Sequence, residues 1–98
     1  MKASIAIQIL PQGVEEKRLL EIVDSCIELI GSKGYHYVVT PFETVIEGDD
    51  MEELLDIVKE LQKLVVDQGA EGVATYIKLW YSPKGVLTIE EKVEKHKH

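Results

Sequence analysis

"TPFETVIEGDD", residues 40–50, is the stretch from which the fold can be read. Pro41 cannot donate to a sheet ladder, so it marks a bend or a bulge. Beyond it the chain alternates, with Glu43, Val45 and Glu47 on one side and Thr44 and Ile46 on the other. That period of two predicts a strand over 42–48, with two carboxylates on one face. Gly48 closes it. Asp49 and Asp50 then stand as candidate helix N-caps, with Glu52 and Glu53 three residues later in capping-box positions. The predicted helix runs to about Asp67 and carries Met51, Leu54, Leu55, Val58, Leu61 and Val65 on its apolar face.

Working outward, "YHYVVT" (35–40) is β-branched and aromatic and predicts a strand on the near side of Pro41. Further upstream, "ASIAIQIL" (3–10) alternates strictly. Ile5, Ile7 and Ile9 face one way, and Ser4, Ala6, Gln8 and Leu10 face the other, with Pro11 and Gly13 expected to end the strand. From Val14 to Lys33 the period lengthens. Leu19, Ile22, Val23, Cys26, Ile27 and Ile30 form the stripe of an amphipathic helix, and Gly31 and Gly34 are its candidate C-terminal caps. Downstream, "QGAEG" breaks the second helix and "VATYIKLWY" (73–81) predicts a fourth strand. "SPKG" turns the chain. Thr88 with Glu91 is a second capping box, opening a short polar helix in "IEEKVEKHKH".

The order β-α-β-β-α-β plus a tail predicts an α+β protein with a ferredoxin-like βαββαβ sandwich. Its four-stranded antiparallel sheet should have strand order 4-1-3-2, both long helices on one face, and a short C-terminal helix. One domain spans 1–98, with 88–98 as a helical tail. The second sheet face is expected to have no helix from its own chain. On it fall Ser4, Ala6 and Gln8, then Glu43, Val45 and Glu47, then Ala74, Tyr76, Lys78 and Trp80. A solvated face would be more uniformly polar, so another subunit is expected to cover this one, in a homodimer or homotetramer. The tail, with only Ile89 and Val93 as apolar anchors, is expected to be dispensable for binding.

Composition narrows the function. A chain of 98 residues with 45% hydrophobic and 30% charged residues suits one folded domain. A formal charge of −7 argues against nucleic acid, whose phosphates need Lys and Arg. It equally fits the Lys and Glu habit of heat-adapted proteins. No run approaches the roughly 18 apolar residues of a membrane span. The single cysteine, Cys26, rules out an internal disulfide and suits a reducing, cytoplasmic setting. On the apolar stripe of its helix it reads as a core residue.

Motifs for catalysis are missing. There is no glycine-rich phosphate loop, no CxxC and no HExxH. His36 stands alone in a strand, and His96 and His98 read as solvated tail residues, so no metal or cofactor is expected. Ser4 has no base at a useful spacing. "PQGVEEKR", after the first strand, puts acids where an acylphosphatase-like loop would need an anion-binding arginine. The paired carboxylates remain. A central-strand Glu43 is solvated, paired with a cation such as Lys78, or recruited to a ligand.

At "ASIAIQILP", "YVVTPFETVIEGD" and "GVLTIEEKVEKHK" the sequence resembles the small thiamine-binding protein family, and the PFETVIEGD block is the most specific part. The resemblance spans nearly the whole chain. It implies a ferredoxin-like protein that binds thiamine, or its hydroxymethylpyrimidine portion, without catalysis. It also implies assembly through sheet faces into dimers and tetramers, with ligand at or near the interfaces. Under that resemblance Glu43 is the first-choice acceptor for the aminopyrimidine, and Glu47 either assists or simply leads into the helix turn. Gln8, Ser4 and Thr44 supply neutral polar groups, and Tyr37, Tyr76 and Trp80 are candidate walls. Two other readings stand beside it: a regulatory or interaction module whose open face serves assembly only, and an enzyme of dimeric α+β barrel type. The thiamine form bound, and whether binding serves transport, salvage or sensing, stay open here.

Overall fold

Alternation in the central strand sorts the molecule into two sides. In the computed structural model, which describes residues 1–96, strand β1 (Ala3–Gln12) buries Ala3, Ile5 and Ile7 and leaves Ser4, Ala6 and Gln8 half-buried on the other face. Helix α1 (Glu16–Ser32) brings Ile22, Cys26 and Ile30 to the buried side. Helix α2 (Met51–Asp67) brings Leu54, Ile57, Val58, Leu61 and Val65. With Ile46 of strand β3 (Thr44–Gly48) these residues form one apolar core. Each such aliphatic side chain contributes about 1.5–3 kcal/mol on burial. Strands β2 (His36–Val39) and β4 (Gly72–Tyr81) complete a four-stranded antiparallel sheet in the order β2-β3-β1-β4. This is the expected 4-1-3-2 order, in a ferredoxin-like βαββαβ sandwich with α3 (Ile89–Lys95) appended. Among the described residues no helix is long and apolar enough to cross a membrane. His98 lies outside the described residues.

Several boundaries differ from expectation for physical reasons. β1 does not stop at Pro11 but runs to Gln12. β3 pairs with β1 only from Ala3 to Ile7, so the rest of β1 has β4 alone as neighbour. The Gln12 carbonyl faces β4 and accepts from the Glu71 amide at 2.9 Å. The adjacent Pro11 therefore turns its nitrogen to the flank β3 does not reach, where a missing N–H breaks no ladder bond. β3 itself begins at Thr44, not Phe42. The Thr40 hydroxyl accepts from the Phe42 and Glu43 amides at 3.4 and 3.1 Å and donates to the Glu43 carbonyl at 2.7 Å, so residues 40–43 form a turn. Glu43 stands at the mouth of the strand rather than inside it.

Of the two candidate aspartates, Asp50 caps α2 and accepts from the Glu52 and Glu53 amides at 2.9 and 3.3 Å. Such a cap is worth about 1 kcal/mol. α1 ends one residue before Lys33, and Gly34 takes the left-handed conformation at φ 82°. Gly31 lies inside the helix. A Cβ there would stand 3.0 Å from the Tyr37 hydroxyl, so this ring packs beneath α1 on the core side.

The largest departure follows β4. The Ser82 amide donates to the Lys2 carbonyl at 2.9 Å and the Val86 amide to the Met1 carbonyl at 2.7 Å, so the chain folds back past the start of β1. The Thr88–Glu91 capping box forms as expected, and its hydrogen bonds from Thr88 hold the Glu91 carboxyl below its ordinary pKa. α3 then lies against β2 and β3 on the face expected to be bare, which is therefore partly covered by its own chain.

Burial pushes the Cys26 thiol up to about 11. The thiolate fraction near neutral pH then falls roughly a hundredfold below that of a free cysteine. Native protein treated with iodoacetamide should be alkylated at least that much more slowly than the denatured chain, as read by mass spectrometry. Equal rates would place Cys26 outside the core.

Candidate functional site

Because α3 crosses the sheet instead of leaving it, a cavity of about 550 Å³ opens between them. Ser4 of β1, Val38 of β2 and Val45 of β3 form its floor, with Lys78 and Trp80 of β4 to one side. Leu87, Thr88, Ile89, Lys92 and Val93 of the returning tail form the opposite wall, and Thr40 and Glu43 stand at the turn. Volume and lining, apolar walls with a few polar groups, are those of a small-molecule site.

Two carboxylates on this face do different work. Glu47 is only 5% exposed, and its Oε2 accepts from the Ile89 amide at 2.8 Å. In register it lies between Ser4 of β1 and His36 of β2, so it reaches straight up to the first residue of α3. Its role is to anchor the tail. Glu43 is freer: its side chain is 27% exposed and pairs with Lys78, whose Nζ is 3.2 Å from Oε1 and 3.3 Å from Oε2. Between their strands runs β1, whose Ala6 is opposite Val45 on one side and Lys78 on the other, so Lys78 reaches Glu43 diagonally across it. Lys78 is 77% exposed, which leaves the pair screened by water and worth at most about 1 kcal/mol. A ligand can compete for it.

Of the candidate residues, Ser4, Glu43 and Trp80 meet in this cavity. Glu47 lies at its edge and is committed to Ile89. Gln8 and Tyr76 face each other in register farther along the same face and do not line it. Neither Tyr37 nor Thr44 lines this cavity: both belong to the helix side, where the alternation of β3 already put Thr44. Tyr37 is opposite Ile46, and Thr44 is opposite Ile7, each a core residue. Thr44 and Gln8 instead border a smaller cavity of about 210 Å³ between α1, β1 and the 40–43 turn, which the core residues Ile7, Cys26 and Ile30 line together with Glu43. That volume is below the usual range for ligand sites. The tail, expected to be separable from the site, supplies one wall. Its signal in the sequence is Leu87 followed by Ile89 and Val93, the latter four apart on one helical face. Among the described residues no three His, Cys, Asp or Glu side chains are grouped to hold a metal ion.

Comparison with known proteins agrees with this architecture. The model of a family described as thiamine-binding protein matches residues 5–97. A UPF0045 protein of Clostridium perfringens is 43% identical over 94 residues, covering 96% of each chain. Among solved structures, a DUF77 domain of unknown function from Bacillus cereus superposes with a TM-score of 0.87 at 38% identity, covering 99% of this chain and 91% of that one. A candidate thiamine biosynthesis/salvage protein of Thermotoga maritima superposes with a TM-score of 0.85 at 39% identity, covering 99% of this chain and 100% of that one. The chain belongs to the thiamine-binding protein family.

If Glu47 holds the tail, Glu47→Leu should release it. Loss of a hydrogen bond to a charged acceptor costs about 1.5–3 kcal/mol, so hydrogen exchange at the Ile89 amide should accelerate roughly ten- to a hundredfold. Amides of β1 and α2 should keep their protection. Unchanged exchange at Ile89 would contradict the anchor.

Proposed function

We propose that this protein binds thiamine, or its hydroxymethylpyrimidine portion, without catalysis, in the cavity between the sheet and α3. One observation carries the reading: the Glu43 carboxylate, largely shielded, sits at the mouth of an apolar cavity that Trp80 also lines. The exocyclic amine of an aminopyrimidine donates hydrogens, as does its ring nitrogen once protonated, and a carboxylate accepts them in charge-assisted bonds about twice as strong as neutral ones. The Trp80 indole, half exposed, offers a face to the pyrimidine or to the thiazolium cation. The family match and the description of the Thermotoga protein support a thiamine-related ligand. Catalysis finds no support in the lining, where Ser4 has no histidine beside it to act as a base. The reading serves salvage, transport or sensing alike, and its proposed location is the cytoplasm, which suits a lone thiol.

A second reading, assembly through the sheet, is favoured by β4 and is compatible with the first. This edge strand exposes Tyr76 and Trp80 on the cavity side and Ile77, Leu79 and Tyr81 on the other. So much apolar surface along an unpaired edge is a mark of a partner strand or face. We therefore propose a homodimer or homotetramer with the cavity near the interface. Light scattering at micromolar concentration should report a mass at least twice 11.1 kDa. A monomer would remove the assembly reading and leave the cavity to the single chain.

Glu43→Gln keeps the size and one acceptor and removes the charge. Calorimetric titration with thiamine and with hydroxymethylpyrimidine should show affinity lowered by about 1.5–3 kcal/mol, roughly ten- to a hundredfold. Parental affinity in this variant would move the binding site away from Glu43.

A further inference from the structure

Three charged side chains line the cavity: Glu43, Lys78 and Lys92. Glu43 and Lys78 neutralise one another. Lys92 has no carboxylate within 4.0 Å among the described residues. The neighbouring acids are engaged or turned elsewhere. Glu47 is committed to the Ile89 amide and Glu91 to the Thr88 cap, while Glu90 and Glu94 border the outer groove beside His36. The lining of an otherwise acidic protein therefore carries one more cation than it has anions. Thiamine itself is a cation, and such a lining does not complement it. A phosphate, with a charge of about −1.5 to −2 near neutral pH, does.

We infer that the ligand this cavity is built for carries a phosphate group: a phosphorylated thiamine or a phosphorylated aminopyrimidine. This rests on the cavity being a thiamine-type site and adds the form of the ligand. The Glu43–Lys78 pair supplies the means of selection. A ligand with amine hydrogens at one end and a phosphate at the other replaces both halves of that pair. Glu43 passes to the amine, and Lys78 turns to the phosphate, which Lys92 meets from the tail with the Thr88 hydroxyl beside it. Every charge ends the exchange with a partner. An unphosphorylated ligand takes Glu43 and leaves two ammonium groups facing a cation or an empty volume. No covalent step is involved.

The test is calorimetric titration of the full chain with thiamine, thiamine monophosphate, hydroxymethylpyrimidine and its phosphate, at low and at high salt. The phosphorylated member of each pair should bind about tenfold tighter at low salt, the gain of one charge-assisted contact. That gain should shrink at high salt. Lys92→Gln should abolish most of the ratio within each pair. Lys63→Gln, a change of equal charge on α2, should preserve it. Equal affinities within each pair, or a preference for the unphosphorylated members, would overturn the inference while leaving the thiamine-type site intact. Binding of none of the four would overturn both.

Discussion

The hydrogen bond from the Ile89 amide to the Glu47 carboxylate decides what the open side of this sheet becomes. A carboxylate buried on a sheet face is costly unless its oxygens are satisfied. Glu47 meets that demand with the first residue of α3, at 2.8 Å, and so draws the tail over β2 and β3. The tail has little else to hold it. It is short and polar, with Val86 buried at its approach and Ile89 half-buried at its start. Two backbone bonds to Met1 and Lys2 steer it round the end of β1, through Gly85 at φ 115°, a conformation open to glycine and strained for other residues. Once it arrives, an exposed sheet face has a roof with a cavity beneath it. Without the roof the same residues would be a flat, wet surface.

The cavity's chemistry follows from what the floor lacks. The central strand presents only Ser4 to it, a small side chain. Neighbouring strands then project over β1, Glu43 from one side and Lys78 from the other, and their charged groups meet across it. Under the proposed function this ion pair is the one a ligand would divide. This is how a modest surface ion pair, worth little to stability, can matter to specificity.

The fold was legible because each element keeps its period. Ile5 and Ile7 on one side, with Ser4, Ala6 and Gln8 on the other, fix β1 and its faces, and the helices carry unbroken apolar stripes. The site was legible in part. Alternation through Val45 placed Glu43, Ser4 and Trp80 on one face, and Lys78 was visible as a partner for Glu43. Tyr37 was not placed correctly because β2 is four residues long, and so short an edge strand has no pattern of its own to fix its faces. Its pairing with Ile46 does so only in three dimensions. Thr44 was already on the helix side by alternation. The tail's helix was legible, but its return over the sheet was not, because its apolar stripe is only Leu87, Ile89 and Val93. What holds it is a long-range bond from a strand carboxylate, which no local pattern encodes.

The most direct test asks which face of the sheet meets the ligand. Amide and indole resonances of isotope-labelled protein can be followed by NMR while thiamine or its monophosphate is added. The account predicts that shifts concentrate at Ser4, Val45, the Trp80 indole and Thr88 to Val93, with the Ile89 amide retained in its bond to Glu47. Shifts concentrated instead at Thr44, Cys26 and Ile30, around the smaller cavity beneath α1, would contradict it.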